Sequence, residues 1–197
     1  MNDTDKYILD AIKTWVWSGF YGPSQVDKMI DDILEDGVDE QLLRDAVGSE
    51  FEKKRVSEGA WPAVTDCDRL DKAFNRLNQG GVIALQNAGF TMSDGLEDVS
   101  EVLQTRGRNG VAGYCFYHGQ DLEGAVAGRG LMLAFGNFEG DSDQAVKVGH
   151  TICAAIKDSG LEVEWKGDPK TRIAVTSLDW KRRGARATMP RPWWRFW

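Results

Sequence analysis

The chain has 197 residues, 42% of them hydrophobic and 28% charged, proportions of a folded globular protein with room for one good-sized core. Its 31 acids against 24 bases leave a formal net charge of −7, which argues against nucleic acid as the main partner because phosphate binding needs a basic surface. No apolar run approaches the roughly 20 residues needed to cross a bilayer, so no membrane span is expected.

The opening Met1-Asn2-Asp3-Thr4-Asp5 lacks the basic and apolar regions of a signal peptide, and a cytoplasmic location is expected. Tyr7, Ile8, Ala11, Ile12, Trp15 and Val16 recur at helical spacing, so a first helix is predicted from Asp3 to Ser18. Gly19 and Gly22-Pro23 end it. Ser24 is placed to cap a second helix, with Asp27 at the reciprocal position and an apolar stripe of Val26, Met29, Ile30, Ile33 and Leu34 running to Asp36-Gly37. Asp39 caps a third, which buries Leu42, Leu43, Ala46, Val47 and Phe51. Residues 1–60 thus form a three-helix N-terminal unit carrying 14 acids and 7 bases. Asp27, Asp31, Asp32, Glu35 and Asp36 gather on its polar face, which reads first as a plain solvated face and, as the alternative, as a candidate partner surface.

Trp61-Pro62 breaks the pattern, and a second domain is placed at 61–180. Thr65-Asp66-Cys67-Asp68 opens a helix with Leu70, Ala73, Phe74 and Leu77 on one face, ending at Gln79-Gly80-Gly81. Three short apolar runs follow, Val82–Leu85, Tyr114–Tyr117 and Leu131–Phe135. Between them come a helix capped by Asp94 with Glu97, and a short one capped by Asp121. A longer helix then packs Ala145, Val148, Gly149, Ile152 and Ile156. Leu161 to Trp165 alternates as a half-exposed strand should, and Gly167-Asp168-Pro169 turns it into Arg172-Ile173-Ala174-Val175, predicting a hairpin at one side of the sheet. The expected class is α/β, with α+β still open: about five strands in a mixed sheet with flanking helices, preceded by the helical unit.

Cys67, Cys115 and Cys153 are odd in number and widely spaced, which supports neither a disulfide framework nor a zinc knuckle. Cys115 and Cys153 read as small core residues. The phosphate-loop, dinucleotide, nucleophile-elbow and zincin motifs are all absent, and two histidines exclude a multi-histidine metal site. Neither metal nor cofactor is expected. His150 lies one position off its helix's apolar stripe and reads as a satisfied structural residue. His118 ends a strand and precedes a helix, where ligands of α/β sheets gather. If the first two strands are parallel neighbours, Asn87, Ser93 and Asp94 share a rim with His118, Gln120 and Asp121. A Ser/His/Asp set can support nucleophilic catalysis, yet both aspartates have capping positions and no motif supplies an oxyanion hole. A polar structural or recognition rim is therefore the first reading.

Residues 181–197 carry 6 bases and no acid, interleaved with Trp and Pro. Packing on the acidic body, or on that of a second copy as a homodimer, is the expectation, with membrane-surface or single-stranded nucleic-acid contact left open.

Thr65 to Leu70, Val82 through Asn87, Gly113 through Asp121, and Gly160-Leu161-Glu162-Val163-Glu164-Trp165 together resemble an uncharacterised bacterial domain-of-unknown-function family over about residues 61–183. Tyr117-His118-Gly119-Gln120-Asp121 is the most specific part. The resemblance implies the fold and brings no established activity. The cysteine-rich loop that many members carry after the first strand reads here as Ala88 to Gly95, without cysteine. The function expected is that of a non-catalytic, cytoplasmic bacterial binding protein, such as an immunity protein that neutralises a basic toxin through its acidic surface. The alternative is a small hydrolase or ligand-binding enzyme with a polar site around His118.

Overall fold

The structure, a computed structural model, describes residues 2–184; most of the basic tail, and with it the expected self-packing, lies outside the described residues. The chain divides into two compact units. One comprises residues up to Thr65 with the segment beginning at Lys181, and the other is Asp66–Trp180.

The first unit is helical: α1 (Asp3–Ser18), α2 (Pro23–Asp31) and α3 (Glu40–Glu58). Three- and four-residue spacing puts Ile8, Ile12 and Val16, Val26 and Ile30, and Leu43 and Val47 on inward faces, where they share one core. Asn2 caps α1, and its side chain and that of Asp5 each accept the other's backbone N–H at 2.7 Å. The second oxygen of Asp5 accepts the N–H of Asp39, the cap of α3, at 3.0 Å. One buried carboxylate therefore fixes the start of two helices, and these donors, Asp39 first, hold its pKa below the usual carboxylate range.

α2 begins earlier than Ser24. Gly22 is the cap and Pro23 the first helical residue, and Gln25 rather than Asp27 accepts the Gly22 N–H, at 3.0 Å. Proline's fixed φ suits that first position and its missing N–H costs nothing there. α2 also stops at Asp31, short of Asp36-Gly37; Ile33 and Leu34 pack on the helical core from the connection instead. At the far end of the unit, Arg183 donates to the Pro62 carbonyl at 2.7 Å and the Arg182 guanidinium lies 4.5 Å from the Phe20 ring.

The second unit runs α4 (Asp66–Gln79), β1 (Val82–Leu85), α5 (Met92–Arg106), β2 (Gly113–Phe116), α6 (Gly119–Val126), β3 (Leu131–Gly136), α7 (Ser142–Asp158), β4 (Glu162–Glu164) and β5 (Ile173–Thr176). The five strands form a mixed sheet ordered β1-β2-β3-β5-β4. β1 and β2 are parallel, with Leu85 beside Phe116, and the remaining pairs are antiparallel. The predicted hairpin is present, with β5 inside and β4 at the edge. Its exposed Glu162 and Glu164 are the charged residues that discourage edge-to-edge pairing.

The opposite edge is closed differently. The Asn78 amide from α4 accepts the Ala84 N–H at 3.0 Å and donates to the Ala84 carbonyl at 2.8 Å, standing in for a missing neighbouring strand. α7 packs along β2, β3, β4 and β5, and α4 along β1. α5 brings Val99 onto Ile83, Leu85, Phe116 and Ala134. Met132 of β3 remains 38% exposed.

Candidate functional site

Because β1 and β2 are parallel, their C-terminal ends emerge together and the loops after them lie side by side. Asn87 turns the chain out of β1 with φ 52°, a left-handed conformation that asparagine tolerates better than most residues. The loop then follows the start of α6. The Ala88 N–H donates to the Tyr117 carbonyl at 2.9 Å, and the N–H groups of Gly119 and Gln120 donate to the carbonyls of Gly89 and Phe90 at 3.0 and 3.2 Å. A Cβ on Gly119 would sit 2.6 Å from the Phe90 ring, so a larger residue would have to displace the exposed Phe90 side chain. Two first-turn donors of α6, the groups that would otherwise make its N-terminus an anion cradle, are thus already bonded.

Both helix starts on this rim are shifted from the predicted ones. α5 is capped by Thr91, not Asp94. The Asp94 carboxylate sits three residues on and accepts the N–H groups of Thr91 and Phe90 at 2.8 and 3.1 Å. These bonds, Thr91 first, hold its pKa below the usual range. α6 is capped by His118, and Asp121 accepts the His118 N–H at 3.3 Å.

His118 is 4% exposed. Its Nε2 lies 3.2 Å from Oδ2 of Asp121. The same oxygen accepts a hydrogen bond from Nη2 of Arg172, which also donates to the Met132 carbonyl at 2.8 Å. Burial lowers the His118 pKa first, and Arg172 lowers it further against the opposing pull of Asp121 and Asp94. The ring is therefore neutral near pH 7. A lone pair facing a carboxylate would be repelled, so the proton belongs on Nε2 and Nδ1 is left as an acceptor. That Nδ1 is buried and has no hydrogen-bond partner among the described residues. Ser93 and Gln120 are exposed. The rim brings His118, Asp121 and Asp94 within electrostatic reach of one another, and it adds Arg172, which the sequence reading passed over.

His150, read as a satisfied structural residue, lies on the surface of α7. It is exposed and packs its ring edge-on against Trp165, 5.2 Å between centroids. Cys115 is fully buried, and burial pushes its thiol pKa well up, as inert core packing requires.

In the helical unit, Asp27 is half-buried while Asp31, Asp32, Glu35 and Asp36 are exposed. Arg44 partly neutralises this face, placing Nη2 2.5 Å from Asp31 and 2.7 Å from Glu40. Asp32, Glu35 and Asp36, on the α2–α3 connection, form no ion pair among the described residues. Also among the described residues, no three His, Cys, Asp or Glu side chains group to hold a metal ion, and no helix is long and apolar enough to cross a membrane.

These features define an α/β protein with a five-stranded mixed open sheet, a helical N-terminal unit and a rim on which buried His118 and Asp121 meet the part-exposed Arg172. The chain belongs to the DUF6891 family, a domain of unknown function, whose family model matches residues 1–184. The match takes in the N-terminal helices as well as the sheet unit, a wider span than the 61–183 of the resemblance noted above. Comparison with curated proteins and with solved structures gives no match.

Proposed function

We propose that the chain is a non-catalytic, cytoplasmic bacterial binding protein that takes a basic protein partner on its acidic α2–α3 connection. Neutralisation of a partner toxin, as an immunity protein, is the specific form of this reading. One observation carries it: Asp32, Glu35 and Asp36 stand exposed without counter-charges among the described residues, whereas Asp94 and Asp121 are engaged in holding loops and helix starts. Unpaired surface charge of one sign speeds the encounter with an oppositely charged partner and fixes its orientation. A carboxylate bonded to backbone N–H groups can do neither.

The test is co-purification with the protein encoded by the adjacent reading frame, over a salt series. Capture should weaken steeply with salt and disappear in the triple variant Asp32→Asn, Glu35→Gln, Asp36→Asn. Undiminished capture by that variant would overturn the reading. A second reading, a ligand-binding or hydrolytic site at His118, has the partnerless Nδ1 in its favour. Turnover of a small ester or amide by the purified chain, abolished in His118→Gln, would establish it instead.

A further inference from the structure

On its α5 side the sheet is covered over β1 and β2 and opens towards β3 and β5. There Met92 and Leu96 of α5, Tyr114 and Phe116 of β2, Ala134 of β3 and Arg172 beside β5 line a groove of about 160 Å³. Its floor carries one partly exposed aromatic ring, Tyr114, with the fully buried Phe116 ring 6.1 Å away and inclined by only 27°. Its apolar rim stays open to solvent, with Leu96 40% and Met92 36% exposed.

The charged end of the groove is cationic, although the chain as a whole carries −7. Arg172 and the exposed Lys170 both line it, and Lys170 forms no ion pair among the described residues. Nη2 of Arg172 is engaged by Asp121 and the Met132 carbonyl, and its buried Nε has no partner among the described residues. The side chain as a whole remains 30% exposed and lines the groove, so the guanidinium can still meet a ligand oxygen there.

We propose that this groove binds a small aromatic carboxylate, its ring on Tyr114 and its carboxylate between Arg172 and Lys170. The volume is below the ~300–1,000 Å³ of sites for drug-sized ligands, which suits a single ring on a short acidic arm. Offset stacking holds such a ring on an aromatic floor, and a guanidinium gives a carboxylate charge-assisted hydrogen bonds. Asp121 already offsets part of the Arg172 charge, so the site favours a monoanion over a phosphate dianion. The inference is independent of the partner surface on the helical unit.

The test is an NMR titration of the full chain with benzoate, beside benzyl alcohol as its neutral counterpart and inorganic phosphate as an anion without a ring. Benzoate should produce saturable shifts in the Met92, Leu96 and Tyr114 signals at millimolar concentration. Benzyl alcohol and phosphate should each bind about tenfold more weakly or worse, the loss expected for one charge-assisted contact. Arg172→Gln should weaken benzoate by a similar factor. Leu96→Trp, a change at an exposed position that leaves the Arg172 contacts alone, should fill the groove and do the same. Absence of saturation, equal affinity for either control, or parental affinity in folded Leu96→Trp would each overturn the proposal.

Discussion

The two units treat their carboxylates in opposite ways. On the sheet unit's rim, Asp94 and Asp121 face inward onto backbone N–H groups, and Asp121 also carries Arg172. On the helical unit, apart from Asp5, which is buried at the junction of two helix starts, the acids of the α2–α3 connection face solvent. Carboxylates that complete the backbone's hydrogen bonding stabilise the fold and have little left to offer a partner. Exposed like charges do the reverse: they contribute nothing to folding, or oppose it slightly, and their field remains available.

The largest expected effect is at Asp121. Asp121→Ala leaves the His118 N–H and the Arg172 guanidinium without their acceptor and should cost about 2–4 kcal/mol in urea unfolding, the range for removing one partner of a largely buried charged contact. A loss no greater than that of the exposed acids would erase the contrast. Thr91→Ala removes only a helix cap and should cost about 1 kcal/mol by the same measurement.

A smaller effect belongs to His118. Its folded pKa lies below the ordinary value of 6.5, so the unfolded chain binds the proton first as pH falls. The stability this ring contributes is present above that value and is lost progressively below it. Thermal melts should therefore fall between neutral pH and pH 5 more steeply for the parent than for His118→Gln; parallel curves would show that the ring is not held neutral. Smallest of all, the combined change Asp32→Asn, Glu35→Gln and Asp36→Asn should alter stability by no more than about 0.5 kcal/mol, in either direction. A larger loss in equilibrium unfolding would mean that these side chains are structural after all.

Much of the architecture was legible because its signals are local. Val82–Leu85 is a short apolar run fenced by glycine and polar residues, and Leu161 to Trp165 alternates, so each declares itself without its neighbours. The helix starts were displaced for a physical reason. An aspartate at the third helical position of a capping box accepts backbone N–H groups just as one at the cap does, and only the backbone angles of Thr91 and His118 decide between them. Before α2, proline's preference for the first helical position outweighed the serine after it.

Arg172 was illegible for another reason. It lies 51 residues from Asp121, and the two meet only because β5 inserts beside β3, a pairing that no local pattern encodes. Arg44 did leave a signal, its four-residue spacing from Glu40, and through it Asp31 proves to be partly neutralised. Asn87 was correctly placed on the rim, but its left-handed turn is a property of the backbone that its neighbours alone do not reveal.

The central claim, that recognition belongs to the exposed acids and structure to the buried ones, is tested most directly by growth rescue. The chain would be co-expressed with the protein from the adjacent reading frame in three forms: parent, the triple variant of the α2–α3 connection, and His118→Gln. The parent and His118→Gln should protect equally while the triple variant, folded to the same melting temperature, should not. Protection by the triple variant together with failure of His118→Gln would contradict the account.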